Sequence, residues 1–343
     1  LPYKVKPKQV AQAKRRKLMA YLGIDVSKDT LAVKLLLADG QQEQGEYSNS
    51  ASGFKKLGRW LKPHQVEGVH VCMEATNIYW EEVAQYLHDQ GYKVSVVNPA
   101  RIKGFAQSQL RRHKTDKVDA DVIAQFCQAI TPSIWVPPTP EQRKLRALVR
   151  HQKALQKTLT QQTNRLATCT EPAVKSSLEL IITTLSSEIE RLQVQIQDFI
   201  DDHPTLKQQF TLLISITGIG PKTAIGLLAE MYDLADYDSA RSAAADAGLT
   251  PSHYSSGKTV HRKSKLSKMG KSSVRGLLYF PAITALQHNP IIQALKQRLQ
   301  AQGKAWKVIL GAAMRKLVHL AYGVLKNQTP FDPNFLNNPS PST

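Results

Sequence analysis

Four acidic residues have the types and spacing to do chemistry: Asp25 in LGIDVSKDT, Glu74 in VHVCMEATNIYW, and Asp116 and Asp119 in RRHKTDKVDADVIA. Carboxylates gathered in one place repel one another, and a divalent cation relieves that repulsion. In a chain that is otherwise strongly basic, the set points to Mg2+ or Mn2+, two ions, and to phosphoryl transfer on nucleic acid. Two metal ions about 4 Å apart can hold the attacking and leaving oxygens of a phosphodiester exchange. Each acid taken singly also has a plainer reading. Asp25 would be a strand-end turn former, Glu74 a surface residue, and Asp116 a helix cap with Asp119 in the first turn. Asp121 points away from Asp119 and reads as a solvated helix residue.

The elements that must position these acids are legible. Tyr21 to Ile24 form a short apolar run into Asp25. A second run, Leu31 to Leu37, ends at the turn signal Asp39-Gly40, so the pair reads as a hairpin. Val69 to Met73 is another strand with Glu74 at its C-terminal end, where open α/β sheets place their sites. A helix through Tyr79 to Leu87 follows, then a strand over 93–97 closed by Asn98-Pro99. The helix through Val118 to Phe126 is opened by Asp116 and Asp119, whose i, i+3 spacing puts both on one face. With a third strand near 44–48 and a helix after it, this is the order of the ribonuclease-H-like fold.

Composition fits a nucleic-acid partner. Across 343 residues, 46 Lys and Arg face 27 Asp and Glu, a net charge of +19, and the length suffices for two or three domains. After Asp246 there are fourteen Lys or Arg and one acid, Asp332; the first 18 residues hold seven Lys or Arg and no acid. Such tracts bind phosphate backbones. No stretch reads as a membrane-spanning helix and no apolar run follows the basic leader. The three cysteines, Cys72, Cys127 and Cys169, form no CxxC pair or zinc spacing, so a reducing cytoplasm is expected.

Trp135 to Pro140 is a proline-rich breaker. From Glu141 to about Ile200, leucines and isoleucines recur at helical spacing with an interruption near Thr170-Glu171-Pro172, which predicts two long antiparallel helices, a coiled-coil hairpin. It reads as either a spacer or a dimerisation arm. Beyond it, Gly218-Ile219-Gly220 lies between two helical segments, as in helix-hairpin-helix motifs. Gly218, Gly220 and Lys222 are therefore candidate backbone contacts, because glycines let a turn approach phosphate and the next helix offers free N–H groups. An ordinary turn between helices is the alternative. Residues 247–258 read as a polar loop in an otherwise helical domain. A hydroxyl there, flanked by Lys258, His261, Arg262, Lys263 and Lys265, has surroundings suited to a transferring phosphate.

The set GIDVSK, CMEAT, KTDKVDA, ITGIGPKTA, AGLTP followed by YSSGK, and GKAWKVILGAAMRKLVHLAYGVLK resembles the bacterial transposases of insertion-sequence family one-ten, related to the Piv invertases. The resemblance runs from about Tyr21 to Pro333. It implies a basic leader at 1–20, a RuvC-like catalytic domain at 21–135, a coiled-coil linker at 141–203, a C-terminal transposase domain at 204–335 and a tail at 336–343. It also implies an Asp-Glu-Asp-Asp metal site at Asp25, Glu74, Asp116 and Asp119. A serine nucleophile maps onto Ser256, with Ser255 and Tyr254 as rivals, and donor and target DNA are joined through a phosphoserine. An assembly of two or four subunits and a guide non-coding RNA from the element belong to the same expectation. The family usually has Gly after Glu-Ala-Thr, whereas this chain has Asn77, which tolerates left-handed backbone better than most residues. A water-using RuvC-like nuclease and a non-catalytic nucleic-acid-binding protein are the competing classes.

Overall fold

The computed structural model describes residues 20–75, 77–109, 116–256, 260–267 and 269–334, with backbone alone at 65–67, 116–118, 253–256 and 260–265. The chain divides into two compact units, Leu1–Pro137 and Pro138–Thr343.

The N-terminal unit is a mixed sheet with helices on both faces. Its strands are β1 (Ala20–Val26), β2 (Thr30–Leu36), β3 (Gln42–Ser48), β4 (Val69–Glu74) and β5 (Lys93–Val97), and its helices are α1 (Ala51–Leu61), α2 (Glu81–Asp89), α3 (Pro99–Ser108) and α4 (Asp116–Ile130). The order across the sheet is β3-β2-β1-β4-β5. The first three strands meander antiparallel, while β4 lies parallel to β1 and β5 parallel to β4. Because side chains alternate along a strand, β1 serves two cores. Leu22, Ile24 and Val26 pack with Phe54, Leu57, Val83 and Leu87 from α1 and α2. Tyr21, by contrast, packs with Cys72, Ile102, Ile123 and Phe126 on the side of α3 and α4.

Helix α4 crosses β1 at Gly23. A methyl group there would overlap the Ala120 carbonyl oxygen and the Ala124 amide nitrogen, so glycine sets how closely helix and sheet approach. Gly23→Ala is expected to destabilise the protein by about 2–3 kcal/mol, the scale of overpacking a rigid contact. An unchanged urea midpoint for this variant would show that α4 gives way without cost.

The second unit is mostly helical. Helices α5 (Pro140–Thr168) and α6 (Pro172–Asp201) form a long antiparallel pair. Thr139 caps α5 in a capping box with Gln142, and prolines open both helices, which explains where each begins. There follow α7 (Pro204–Ile214), α8 (Pro221–Glu230), α9 (Ala240–Asp246), α10 (Ser272–His288), α11 (Pro290–Ala301) and α12 (Trp306–Asn327), and between α9 and α10 two strands, β6 (Pro251–Ser256) and β7 (Val260–Leu266). Leu145 of α5 and Ile196 and Ile200 of α6 share one core with Leu213, Leu227, Leu278 and Leu317.

Three expectations are corrected. Residues 251–256 are not loop but one strand of an antiparallel hairpin, paired from Pro251 with Leu266 to Ser256 with Val260. Pairing uses main-chain groups, so a polar strand without apolar alternation gives no sequence signal. Helix α3 follows Asn98-Pro99; Asn98 caps it, and Ile102 is its one fully buried side chain. Finally, α12 is long and apolar enough to cross a membrane. Its apolar residues, among them Ile309, Leu317, Val318 and Ala321, lie in the helical core instead.

Candidate active site

Asp25 and Glu74 occupy neighbouring parallel strands at equivalent places. The register pairs Ile24 with Met73, and each acid is the next residue along. Alternation puts Asp25 on the same face as Gly23, and Glu74 on the same face as Cys72, which is the face that α4 covers. Asp119 directly precedes Ala120, whose carbonyl abuts Gly23, and its i+4 neighbour Ile123 is buried against the sheet. Asp25, Glu74 and Asp119 are each half-buried. Asp116 is the first residue of α4. Asp121 accepts hydrogen bonds from Gln125 Nε2 at 3.1 and 3.3 Å.

The loops beside Asp25 and Glu74 are stapled by Asn49, which sequence reasoning missed. Its Nδ2 donates to Ser27 O at 2.8 Å and to Tyr79 O at 3.1 Å, and its amide N donates to Asp29 O at 2.9 Å. Ser50 next to it caps α1 through Gly53 N, so the Ser-Asn-Ser run reads as an ordinary helix start and hides the second role. Ser27 closes the turn after Asp25 by donating through Oγ to Thr30 O and accepting from Thr30 N, both at 3.0 Å. After Glu74, Asn77 takes φ +54°, the left-handed conformation that its departure from glycine had to permit.

As a donor set these carboxylates offer only hard oxygens, which suits Mg2+ or Mn2+ better than a soft metal. Among the described residues no three His, Cys, Asp or Glu side chains stand together as a ligand group. The side chain of Asp116 lies outside the described residues.

Ser256 is the last residue of β6, at the end of the strand that leads into 257–259; Ser255 pairs with His261 and Tyr254 with Arg262. Arg262, Lys263 and Lys265 lie on β7, and Lys258 lies outside the described residues. What the sequence did not disclose is the clasp at the base of this hairpin. Lys271 N donates to Asp246 O at 2.7 Å and Ser267 N to Thr250 O at 2.9 Å. The Asp246 carboxylate takes Lys271 Nζ at 2.9 Å and Tyr237 OH at 2.7 Å. Burial, followed by the Asp246 charge, pushes the Tyr237 hydroxyl far up, so it stays a donor. Arg275 Nη1 donates to Ala247 O and Gly270 O at 3.1 and 3.2 Å.

In the turn between α7 and α8, Gly218 has φ +105°, and a Cβ there would stand 2.7 Å from the Ala285 Cβ. Buried Asn289 fixes the same turn by donating to Thr217 O at 2.9 Å. Gly220, the N-cap of α8, faces open space, and Lys222 beside it is exposed.

Residues 22–171 match a family model described as a transposase, and residues 210–297 match one described as the IS116/IS110/IS902 transposase family. Over 315 residues the chain is 33% identical to the pilin gene-inverting protein of Moraxella bovis, covering 91% of this chain and 97% of that protein. The chain belongs to the IS110 family of transposases. The pilin gene-inverting protein of Moraxella lacunata is as similar, at 33% over the same shares of both chains. The transposase for insertion sequence element IS1328 of Yersinia enterocolitica is 27% identical over 57% of this chain and 65% of its own. Asp25, Glu74 and Asp119 of this IS110-family member lie within the first matched region, and Ser256 within the second.

Proposed function

We propose that this IS110-family transposase cuts and rejoins DNA by transesterification, with Asp25, Glu74, Asp116 and Asp119 as one half of the machinery and Ser256 as the other. The observation that carries the reading is the placement of Asp25 and Glu74 side by side at the C-terminal ends of adjacent parallel strands, on the sheet face covered by α4, the helix that bears Asp119. The strand order β3-β2-β1-β4-β5 supports a RuvC-like, ribonuclease-H-like assignment for 21–135. In this reading 141–203 is a coiled-coil linker and 204–335 a serine-bearing transposase domain with a helix-hairpin-helix turn.

Divalent cations bound by the four acids would supply polarisation of the scissile phosphate and relief of the carboxylate repulsion. The Ser256 oxygen attacks phosphorus, a sugar hydroxyl leaves with the proton, and the DNA end is held as a serine phosphodiester. A hydroxyl from a second strand then displaces the serine. Each exchange keeps one phosphodiester, so no ATP is needed. Gly218, Gly220, Lys222, Lys258, Arg262, Lys263 and Lys265 contact backbone phosphates, and an element-encoded RNA guides the choice of donor and target. Exposed Val174, Leu180 and Ile181 along α6 fit association of two or four subunits through the stem. The protein acts on bacterial DNA in the cytoplasm.

With donor and target DNA, the guide RNA and Mg2+, joined strands are expected. A chelator should stop joining while leaving DNA binding in place, and added Mg2+ should restore it. Joined product formed in excess chelator would overturn the metal assignment, and cutting without joining would overturn the recombinase.

A further inference from the structure

Helix α12 carries Arg315, Lys316 and His319 within little more than one turn, and His319 stands i+4 from Arg315 and i+3 from Lys316. It packs against α9 and α11, which contribute Arg241 and Arg298. Among the described residues none of these five groups has a carboxylate within ion-pair reach. The His319 Nε2 atom is buried without a hydrogen-bond partner. Burial, then Arg298, holds the Lys316 ammonium below its usual range. Burial, then Arg315, Lys316 and Arg241, brings His319 down to about 4, so it remains neutral at pH 7.

Other cations of the same unit are neutralised: Arg150 by Glu230, Lys207 by Asp201 and Lys271 by Asp246. Here positive charge from three helices is left unopposed, which is unfavourable unless an anion completes it. Arginine forks match phosphate oxygens in pairs. Arg241 and Arg298 are exposed, so the cations form a surface strip rather than an enclosed pocket. Successive phosphates of a strand match such a strip better than a single ion.

We propose that Arg241, Arg298, Arg315 and Lys316, none of them part of the hairpin of β6 and β7 or of the Gly218 turn, form a docking strip for the phosphodiester backbone of duplex DNA. The nature of the polyanion rests on the recombinase reading; the unpaired cations do not.

The test uses the full chain carrying Arg241→Gln, Arg298→Gln and Lys316→Gln together, with equilibrium binding to a labelled duplex measured across a salt series. Affinity should fall on the order of tenfold or more, and the log–log salt slope should flatten by about 0.9 for each phosphate that the variant no longer neutralises. Without DNA the melting temperature should hold or rise, because removing unopposed charge relieves repulsion. If the triple variant melts early, the exposed Arg241→Glu variant repeats the comparison. Unchanged affinity and slope would refute the strip. So would unchanged DNA binding combined with loss of stabilisation by inorganic phosphate, which would make it a site for the free ion. Binding is read without cleavage, so a protein that binds this way but forms no covalent adduct would refute the catalytic mechanism and leave the strip standing.

Discussion

Ser256→Ala is expected to lose the covalent protein–DNA adduct that the proposed mechanism requires of the wild-type protein with labelled DNA, guide RNA and Mg2+. A serine phosphodiester survives denaturation, so the adduct is read on a denaturing gel, and strand joining should fall by at least roughly 10³-fold, as when an activated nucleophile is removed. Ser255→Ala and Tyr254→Phe should keep the adduct. The end-of-strand position of Ser256, one residue before 257–259, distinguishes it from Ser255 and Tyr254, which pair deeper in the hairpin. An adduct that persists in Ser256→Ala but vanishes in Ser255→Ala would move the nucleophile by one residue. Wild-type protein that cuts DNA and leaves only free hydroxyl and phosphate ends would show that water is the nucleophile.

The second large effect belongs to the acids. Asp25→Ala and Glu74→Ala should each lower strand cleavage on the order of 10³-fold, the scale of losing one group that stabilises transition-state charge. DNA binding should persist, since removing a carboxylate from a chain of net charge +19 takes away no cation that faces phosphate. Asp25→Asn adds a discriminating sign. It should shrink the rise in melting temperature that added Mg2+ gives the wild-type protein, a readout that does not pass through cleavage. Full cleavage by both alanine variants in Mg2+ would remove these residues from the site.

Where burial is periodic, the sequence reveals the element. Ile24, Val33, Val71 and Val94 mark strands because both faces of the sheet are covered, and Pro140 and Pro172 mark the starts of α5 and α6. Helix α3 leaves little trace because Ile102 is its single fully buried side chain. The strands β6 and β7 leave none, since a polar hairpin is held by main-chain bonds and by the distant clasp of Tyr237, Asp246, Lys271 and Arg275. The four acids could be named as candidates from their local contexts. That Asp25 and Glu74 stand side by side follows from the β1–β4 register, which pairs residues about fifty apart and which no local pattern specifies.

The crossing of α4 over Gly23 has a consequence for synthesis. Asp25 belongs to the first strand of its unit and Asp119 to its last helix, so the covered face that carries Asp25 is complete only after about a hundred residues have emerged and α4 has closed onto β1. A chain released early, at any codon before α4, carries Asp25 and even Glu74 but lacks the helix that bears Asp116 and Asp119. On the proposed four-acid mechanism, truncated translation products of such a gene would therefore be unable to cut DNA, and cutting would be confined to chains whose first unit is whole.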